Sequence, residues 1–175
     1  MIGDIRTFRL SADTRIKNFD CGDEDINDFF HHDSYDYSEK LLSVTYVIEN
    51  EEDTLAFFSL SNDKIAQDTS NKAAWRKIKK RFSHTKHRSD YPAVKIGRLG
   101  VSQKYGKQGL GTQILDFVKN MFLTNNRTGC CFITVDAYQQ SEAFYLKNGF
   151  KRLNPAEKIK ADDTILMYYD LRELK

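Results

Sequence analysis

The chain has 175 residues, 40% of them hydrophobic and 13% aromatic, with 12 Phe and 9 Tyr, which furnishes one packed core and excludes global disorder. A formal net charge of +2 and a pI near 8.3 do not by themselves call for a nucleic-acid partner. Three cysteines, Cys21, Cys130 and Cys131, are odd in number with two adjacent; they make neither a disulfide framework nor a metal site and read as buried thiols of a cytoplasmic protein. His84 and His87 lack partners at metal-ligand spacing, so no metal is expected. The start, MIGDIRTFRL, has no long apolar segment, and no run approaches the ~20 apolar residues that span a bilayer.

Residues 5–10 alternate as a first strand. Cys21-Gly22-Asp23-Glu24-Asp25 then supplies acidic groups for a helix start, with Ile26, Phe29 and Phe30 as its apolar stripe. For Phe19, Cys21, Phe29 and Phe30 the expectation is core, with lining of the acceptor cleft as the alternative. LSVTYVI (42–48) and LAFFSL (55–60) are rich in β-branched and aromatic residues around a polar turn at 49–53, a hairpin pattern. Residues 71–90 concentrate eight basic side chains, Lys72, Arg76, Lys77, Lys79, Lys80, Arg81, Lys86 and Arg88, against the single acid Asp90.

YPAVKIGRLGV (91–101) alternates as a strand with Val94, Ile96, Arg98 and Gly100 on one side and Lys95, Gly97, Leu99 and Val101 on the other. A glycine-punctuated loop follows. From Leu110 the positions Ile114, Phe117, Val118, Met121 and Phe122 recur at helical spacing, predicting an amphipathic helix that ends near Asn125. CFITV (131–135) reads as a buried strand and Ser141 to Asn148 as a short helix with Gly149 as its left-handed cap. Phe150 begins another strand, and TILMYYDL (164–171) closes the sheet.

In Tyr105-Gly106-Lys107-Gln108-Gly109-Leu110-Gly111-Thr112, the glycines let the backbone turn tightly while successive N–H groups converge on a helix start. That geometry suits phosphate, although glycines before a helix are also ordinary turn residues. The surrounding order, strand, glycine loop, long helix, second strand and a Phe-Tyr-x-x-x-Gly-Phe unit (144–150), resembles the GCN5-related N-acetyltransferase (GNAT) superfamily.

The resemblance runs from Phe19 to Leu171 and is nearest to the toxin-like branch that acetylates aminoacyl-tRNA. It is carried by Phe19-Asp20-Cys21-Gly22, Gly97-Arg98-Leu99-Gly100-Val101, GKQGLG (106–111), Val135-Asp136-Ala137 and Phe144-Tyr145. It implies one domain over 1–175 with a basic insertion around 71–90. The implied fold is α/β (α+β): a mixed, mostly antiparallel twisted sheet, helices on both faces, and a splay between two central parallel strands. Acetyl-CoA is the implied donor, with its pantetheine arm on Leu99, Gly100, Val101 and Ala137, where one amide would polarise the thioester carbonyl. Its phosphates would lie on the amides of Gly106, Lys107, Gln108, Gly109, Leu110, Gly111 and Thr112. Gly106 stands where the family usually has Gln or Arg, which implies weaker side-chain support with coenzyme binding retained.

Tyr145 is the candidate general acid. A phenol of pKa about 10 stays protonated at neutral pH and can donate to the departing thiolate; a tyrosine here is otherwise a core residue, and the family pattern implies the functional role, while Phe144 reads as packing. No Asp, Glu or His announces itself as a base, which favours an α-amine acceptor, titrating near 7.7–8.0, over a lysine near 10.4, with a base relayed through water as the alternative. If Lys72, Arg76, Lys79, Lys80 and Arg81 share a face, they suit RNA phosphates, with Trp75 and Tyr91 as added stacking surfaces; a charge run is otherwise a solvated helix face. Arg98 reads as a structural ion pair or as a substrate contact. The leading acceptor is thus aminoacyl-tRNA, with a separately encoded antitoxin and a homodimer as partners implied by the resemblance. Two alternatives stay open: an acetyltransferase for a small-molecule or protein amine, and a silent coenzyme-binding module.

Overall fold

The computed structural model describes residues 4–66, 72–82, 88–124, 126–155 and 157–175. His84, His87, Lys86 and Asn125 lie outside the described residues, as do Met1 to Gly3. The strands are β1 (Arg6–Arg9), β2 (Val44–Glu49), β3 (Thr54–Ala66), β4 (Asp90–Val101), β5 (Phe132–Ala137), β6 (Lys151–Arg152) and β7 (Ile165–Asp170). The helices are α1 (Glu24–Asp28), α2 (Ser34–Glu39), α3 (Lys72–Lys79), α4 (Leu110–Leu123) and α5 (Glu142–Lys147), with a wider helical turn (Phe29–Asp33) joining α1 to α2. The sheet order is β1-β2-β3-β4-β5-β7-β6, mostly antiparallel with β4 and β5 as its parallel pair. The last strand in sequence therefore does not close the sheet as expected: β7 pairs with β5 along its whole length, and the short β6 takes the edge.

Two compact units make up the chain, residues 1–61 with 96–118 and residues 62–95 with 119–175. In the first, β1, β2 and the first half of β3 form an antiparallel meander. The expected hairpin is present because its β-branched and aromatic side chains are buried, those of 54–60 without a break, while Asn50 closes the turn, its Oδ1 accepting from the amides of Glu52 (3.0 Å) and Asp53 (2.8 Å). Asp23 caps α1 by accepting from the amide of Ile26 at 3.1 Å. Phe19, Phe29, Phe30 and Phe57 then pack as one aromatic core, with Phe30 and Phe57 stacked at 4.3 Å. Cys21 falls short of the expected burial; its thiol is half-exposed and donates to Asn27 Oδ1 at 3.2 Å.

In the second unit, α3 lays Trp75 and Ile78 on Tyr91 and Ala93 of β4, Phe132 of β5 and Ile65 of β3. Trp75 and Tyr91 are 3% and 5% exposed, which removes both as stacking surfaces for a base: their apolar area is spent on the core. Cys130 and Cys131 are half-exposed as well, and burial pushes the Cys130 thiol up to about 11. Among the described residues no helix is long and apolar enough to cross a membrane.

Candidate active site

The segment from β4 into α4 lies in the first unit, and its backbone departs from simple alternation. A Cβ on Gly97 would point at Ser59 Oγ (3.2 Å), and one on Gly100 would meet Phe57 Cε1 at 2.9 Å, with Ile26 Cγ2 and Phe19 Cζ at 3.0 Å. Ser59 and Phe57 share one face of β3, so residues 97 and 100, of opposite parity, face the same way. The strict two-sided pattern expected for 91–101 is thus broken between them. Such an irregularity turns backbone amides and carbonyls out of a strand ladder. Gly100 is glycine because the aromatic core closes directly over its α-carbon, leaving the backbone as the only part of this residue that a ligand can use.

After β4, a short turn (Gln103–Tyr105) leads to the glycine loop. Gly106 has φ −61° and ψ 158°, ordinary extended backbone, whereas Lys107 and Gly109 have φ of +60° and +81°. Alternation of this kind makes successive N–H groups converge into an anion-binding concavity, and the positive φ at 109 is one that glycine alone adopts without strain. The carbonyl of Gly109 accepts the Gln113 amide at 3.1 Å and so starts α4, leaving the amides of Leu110, Gly111 and Thr112 outside the helical ladder. Lys107, Gln108, Gly109 and Thr112 are exposed, Gly111 is half-buried, and Leu110 is anchored in the core at 5% exposure. A solvent-facing nest at the start of a 14-residue helix fits a diphosphate.

Arg98 sits 3.5 Å from Asp25, with its guanidinium 5.3 Å over the Phe29 ring, and donates to the Gly97 carbonyl at 3.0 Å. Its ion-pair reading therefore has a geometric basis. A charged cleft of about 760 Å³ opens beside β1, lined by Arg6, Phe8, Arg15, Lys17 and Glu49 among others, but none of the residues expected to hold coenzyme lines it.

In the second unit, Tyr145 lies on α5, whose C-terminus is capped as expected: Gly149 has φ +85°, and the Phe150 amide donates to the Tyr145 carbonyl at 3.0 Å. The Tyr145 ring packs edge-on against Phe144 (5.1 Å) and Phe150 (5.3 Å) and is 6% exposed. Burial alone pushes its phenol up to about 12. Ala137 ends β5 at 2% exposure, paired with Ile165.

Polar side chains near the end of β5 carry no functional signal in the sequence. Lys95 of β4 pairs with Asp136 of β5, and the buried Thr134 hydroxyl donates to Asp63. Beside Tyr145, Glu142 accepts Arg152 Nη2 at 2.7 Å, and that contact holds its carboxyl below the usual range. Lys72, Arg76, Lys79 and Lys80 recur at helical spacing along α3 and the turn after it, opposite the buried Ala74, Trp75 and Ile78, and the first two and Lys80 are exposed. Lys79 lies 5.9 Å from the Trp75 ring. Arg81 does not join this stripe: Asp170 (2.7 Å) and Glu173 (2.9 Å) hold it. Among the described residues no group of His, Cys, Asp and Glu could hold a metal ion.

A strand whose two-sided pattern breaks and a backbone nest that opens a long helix suit a coenzyme-A-dependent acyltransferase. The family model for the acetyltransferase (GNAT) domain matches residues 59–167, and the chain belongs to that family. It is an N-acetyltransferase that uses acetyl-CoA as donor. Solved structures with the same fold include AtaT complexed with acetyl-methionyl-tRNAfMet, at TM-score 0.77 and 18% identity over 98% of this chain and 97% of that one. A mutant of the AtaT toxin bound to the C-terminus of the antitoxin AtaR and acetyl-CoA gives 0.74 and 16% over 98% and 96%. The KacTA–DNA complex gives 0.71 and 18%, also over 98% and 96%.

Proposed function

We propose that the protein acetylates the α-amine of aminoacyl-tRNA, as the cytoplasmic toxin of a toxin–antitoxin pair. The observation that carries the acceptor is the cationic stripe of α3: Lys72, Arg76 and Lys80 stand exposed in register, with Lys79 half-exposed beside them, on a helix whose other face is fully occupied by the core. Such a stripe engages phosphates at helical spacing. The fold shared with AtaT, solved with acetyl-methionyl-tRNAfMet and with the antitoxin AtaR, supports the same reading.

In this reading the whole chain serves one transfer. The amides of residues 106–112 hold the coenzyme's diphosphate, Lys107 and Gln108 adding polar contact at the exposed rim. Leu99, Gly100, Val101 and Ala137 present backbone groups to the pantetheine arm. The acceptor amine attacks the thioester carbonyl, a backbone amide stabilises the oxyanion, and the carbon–sulfur bond breaks with the Tyr145 hydroxyl donating a hydrogen bond to the departing thiolate, which finally takes the proton that the acceptor nitrogen or water releases. Arg98 is held by Asp25 and Phe29 and keeps the α1 segment in place rather than touching RNA.

The test supplies labelled acetyl-CoA to a pool of charged tRNA, to deacylated tRNA and to free amino acids, at 50 and 200 mM salt. Label should enter charged tRNA alone. With four phosphate contacts, kcat/KM should fall on the order of a hundredfold between the two salts. Equal labelling of free amino acids without salt dependence sinks the tRNA reading and leaves a small-amine acetyltransferase; coenzyme binding with no labelling at all points to a silent module.

A further inference from the structure

The turn between β2 and β3 lies far in sequence from the phosphate loop, yet its one buried carboxylate is spent on the residues that lead into that loop. Asp53, 8% exposed, accepts from the Tyr105 hydroxyl at 2.7 Å and from Lys104 Nζ at 2.5 Å, both on Oδ2. Asn50 donates from Nδ2 to the same Tyr105 oxygen at 3.3 Å while its Oδ1 holds the turn amides. Tyr105 is itself buried at 8%, with Lys104 Nζ 5.4 Å over its ring. The backbone is held too: the Ser102 amide donates to Leu55 (2.8 Å) and the Gln103 amide to Asp20 (2.9 Å). The side-chain contact with Lys104, then that with Tyr105, holds the Asp53 carboxyl below its usual range, so it is ionised wherever the enzyme works.

This concentration of contacts has a mechanical consequence. Residues 102–105 are fixed from three directions, and the next residues, 106–109, turn twice through positive φ, at Lys107 and Gly109, with the Lys107 and Gln108 side chains exposed. A loop of that kind has little packing of its own; its N–H groups point where its stem points them. A diphosphate needs those amides converged before it arrives, because ordering them on binding would subtract from affinity.

We propose that Asp53, Tyr105 and Lys104 form a positioning clasp, through which the β2–β3 turn sets the diphosphate loop and thereby the affinity for the nucleotide part of the donor. The clasp rests on the reading of residues 106–112 as the diphosphate cradle. None of its three residues touches the coenzyme; each acts through the loop that Tyr105 immediately precedes.

The readout must separate the diphosphate from the rest of the donor. Dissociation constants are measured by calorimetry for acetyl-CoA and for acetyl-pantetheine, which keeps the thioester arm and lacks the diphosphate. They are taken with the wild type, Tyr105→Phe and the exposed-side variant Lys104→Gln, alongside thermal melting. In the wild type, acetyl-CoA should bind far tighter than acetyl-pantetheine. Tyr105→Phe should shrink that ratio about tenfold and Lys104→Gln a few-fold, as expected for hydrogen bonds to a charged group. If the wild type does not discriminate between the two donors, the cradle itself is refuted and the clasp with it. If the wild type discriminates strongly and the ratio is unchanged in both variants, including the case where both constants rise together, the clasp alone is overturned.

Discussion

Replacing Tyr145 by Phe removes one oxygen from a buried ring and leaves the edge-on packing against Phe144 and Phe150 in place. With the phenol pushed up to about 12, transferring its proton to a free thiolate of pKa about 8.5 is uphill by roughly 5 kcal/mol. The hydroxyl therefore acts on the developing thiolate mainly as a strong hydrogen-bond donor, and the final proton comes from the acceptor ammonium or from water. A hydrogen bond to a charged partner is worth about 1.5–3 kcal/mol. The variant should then lose about 10- to 150-fold in kcat, with KM for acetyl-CoA within about twofold and an unaltered melting temperature. Steady-state kinetics over pH 6–10 check both parts of the reasoning, since a phenol near 12 stays protonated throughout and the wild-type profile should have no descending limb there. A variant within threefold of wild type refutes the role. A limb near pH 9–10 in the wild type that vanishes in the variant refutes the burial argument.

Gly100→Ala drives a methyl within about 3 Å of Phe57, Ile26 and Phe19 in a core with no slack, so about 1–3 kcal/mol of stability should go, read as a fall of roughly 2–12 °C in Tm. Gly106→Gln should fold, because φ −61° and ψ 158° suit any residue, at a small cost in Tm because its Cβ would lie a tight 3.3 Å from the Gln103 carbonyl oxygen; it should lower KM for acetyl-CoA a few-fold, measured at fixed acceptor. Asp53 and Glu142 have depressed folded pKa values, caused first by Lys104 and Arg152 respectively, so the stability they confer is complete above the unfolded values near 4 and is lost as pH falls through the folded ones. Melting temperature should accordingly hold from pH 8 to 5 and drop below pH 4, and a drop already complete at pH 5 would contradict this.

Much of this was legible because local chemistry and tertiary demand agree. The β2–β3 hairpin, the loop into α4 and the Gly149 cap each follow from residues a few positions apart, and each appears where the pattern put it. What sequence could not supply was decided by partners distant along the chain. Parity alone split Gly97 from Gly100; only the positions of Ser59 and Phe57 reveal that the alternation breaks. Trp75 and Tyr91 look like stacking surfaces beside a cationic run until α3 is seen to lay Trp75 inward on the core that holds Tyr91 of β4 and Phe132. Arg81 reads as one more cation of that run, but it is spent on Asp170 and Glu173, some ninety residues away. Asp53 carries no signal in sequence beyond a polar turn, since its meaning lies in Tyr105, fifty-two residues on.

Under the proposed transfer, the pairing of individual carboxylates bears on which amine is accepted. Glu142 is held by Arg152, which keeps its carboxyl below the usual range and makes it a weaker base than a free carboxylate, while Asp136 pairs with Lys95 and Asp25 with Arg98. Where none of the described side chains acts as the base, the rate follows the fraction of acceptor already neutral. At pH 7.4 an α-amine titrating near 7.8 is about 30% neutral, while a lysine near 10.4 is about 0.1% neutral, a difference of a few hundredfold. The enzyme should therefore prefer an α-amine peptide over its Nα-blocked, lysine-bearing counterpart by about that factor at pH 7.4, and the preference should shrink about tenfold for each pH unit above 8. Label transfer to the two peptides, compared at pH 7.4, 8.5 and 9.5, reads this directly. A preference that stays constant with pH would mean that a side chain deprotonates the acceptor after all, and that the specificity lies in the shape of the acceptor site rather than in the basicity of the amine.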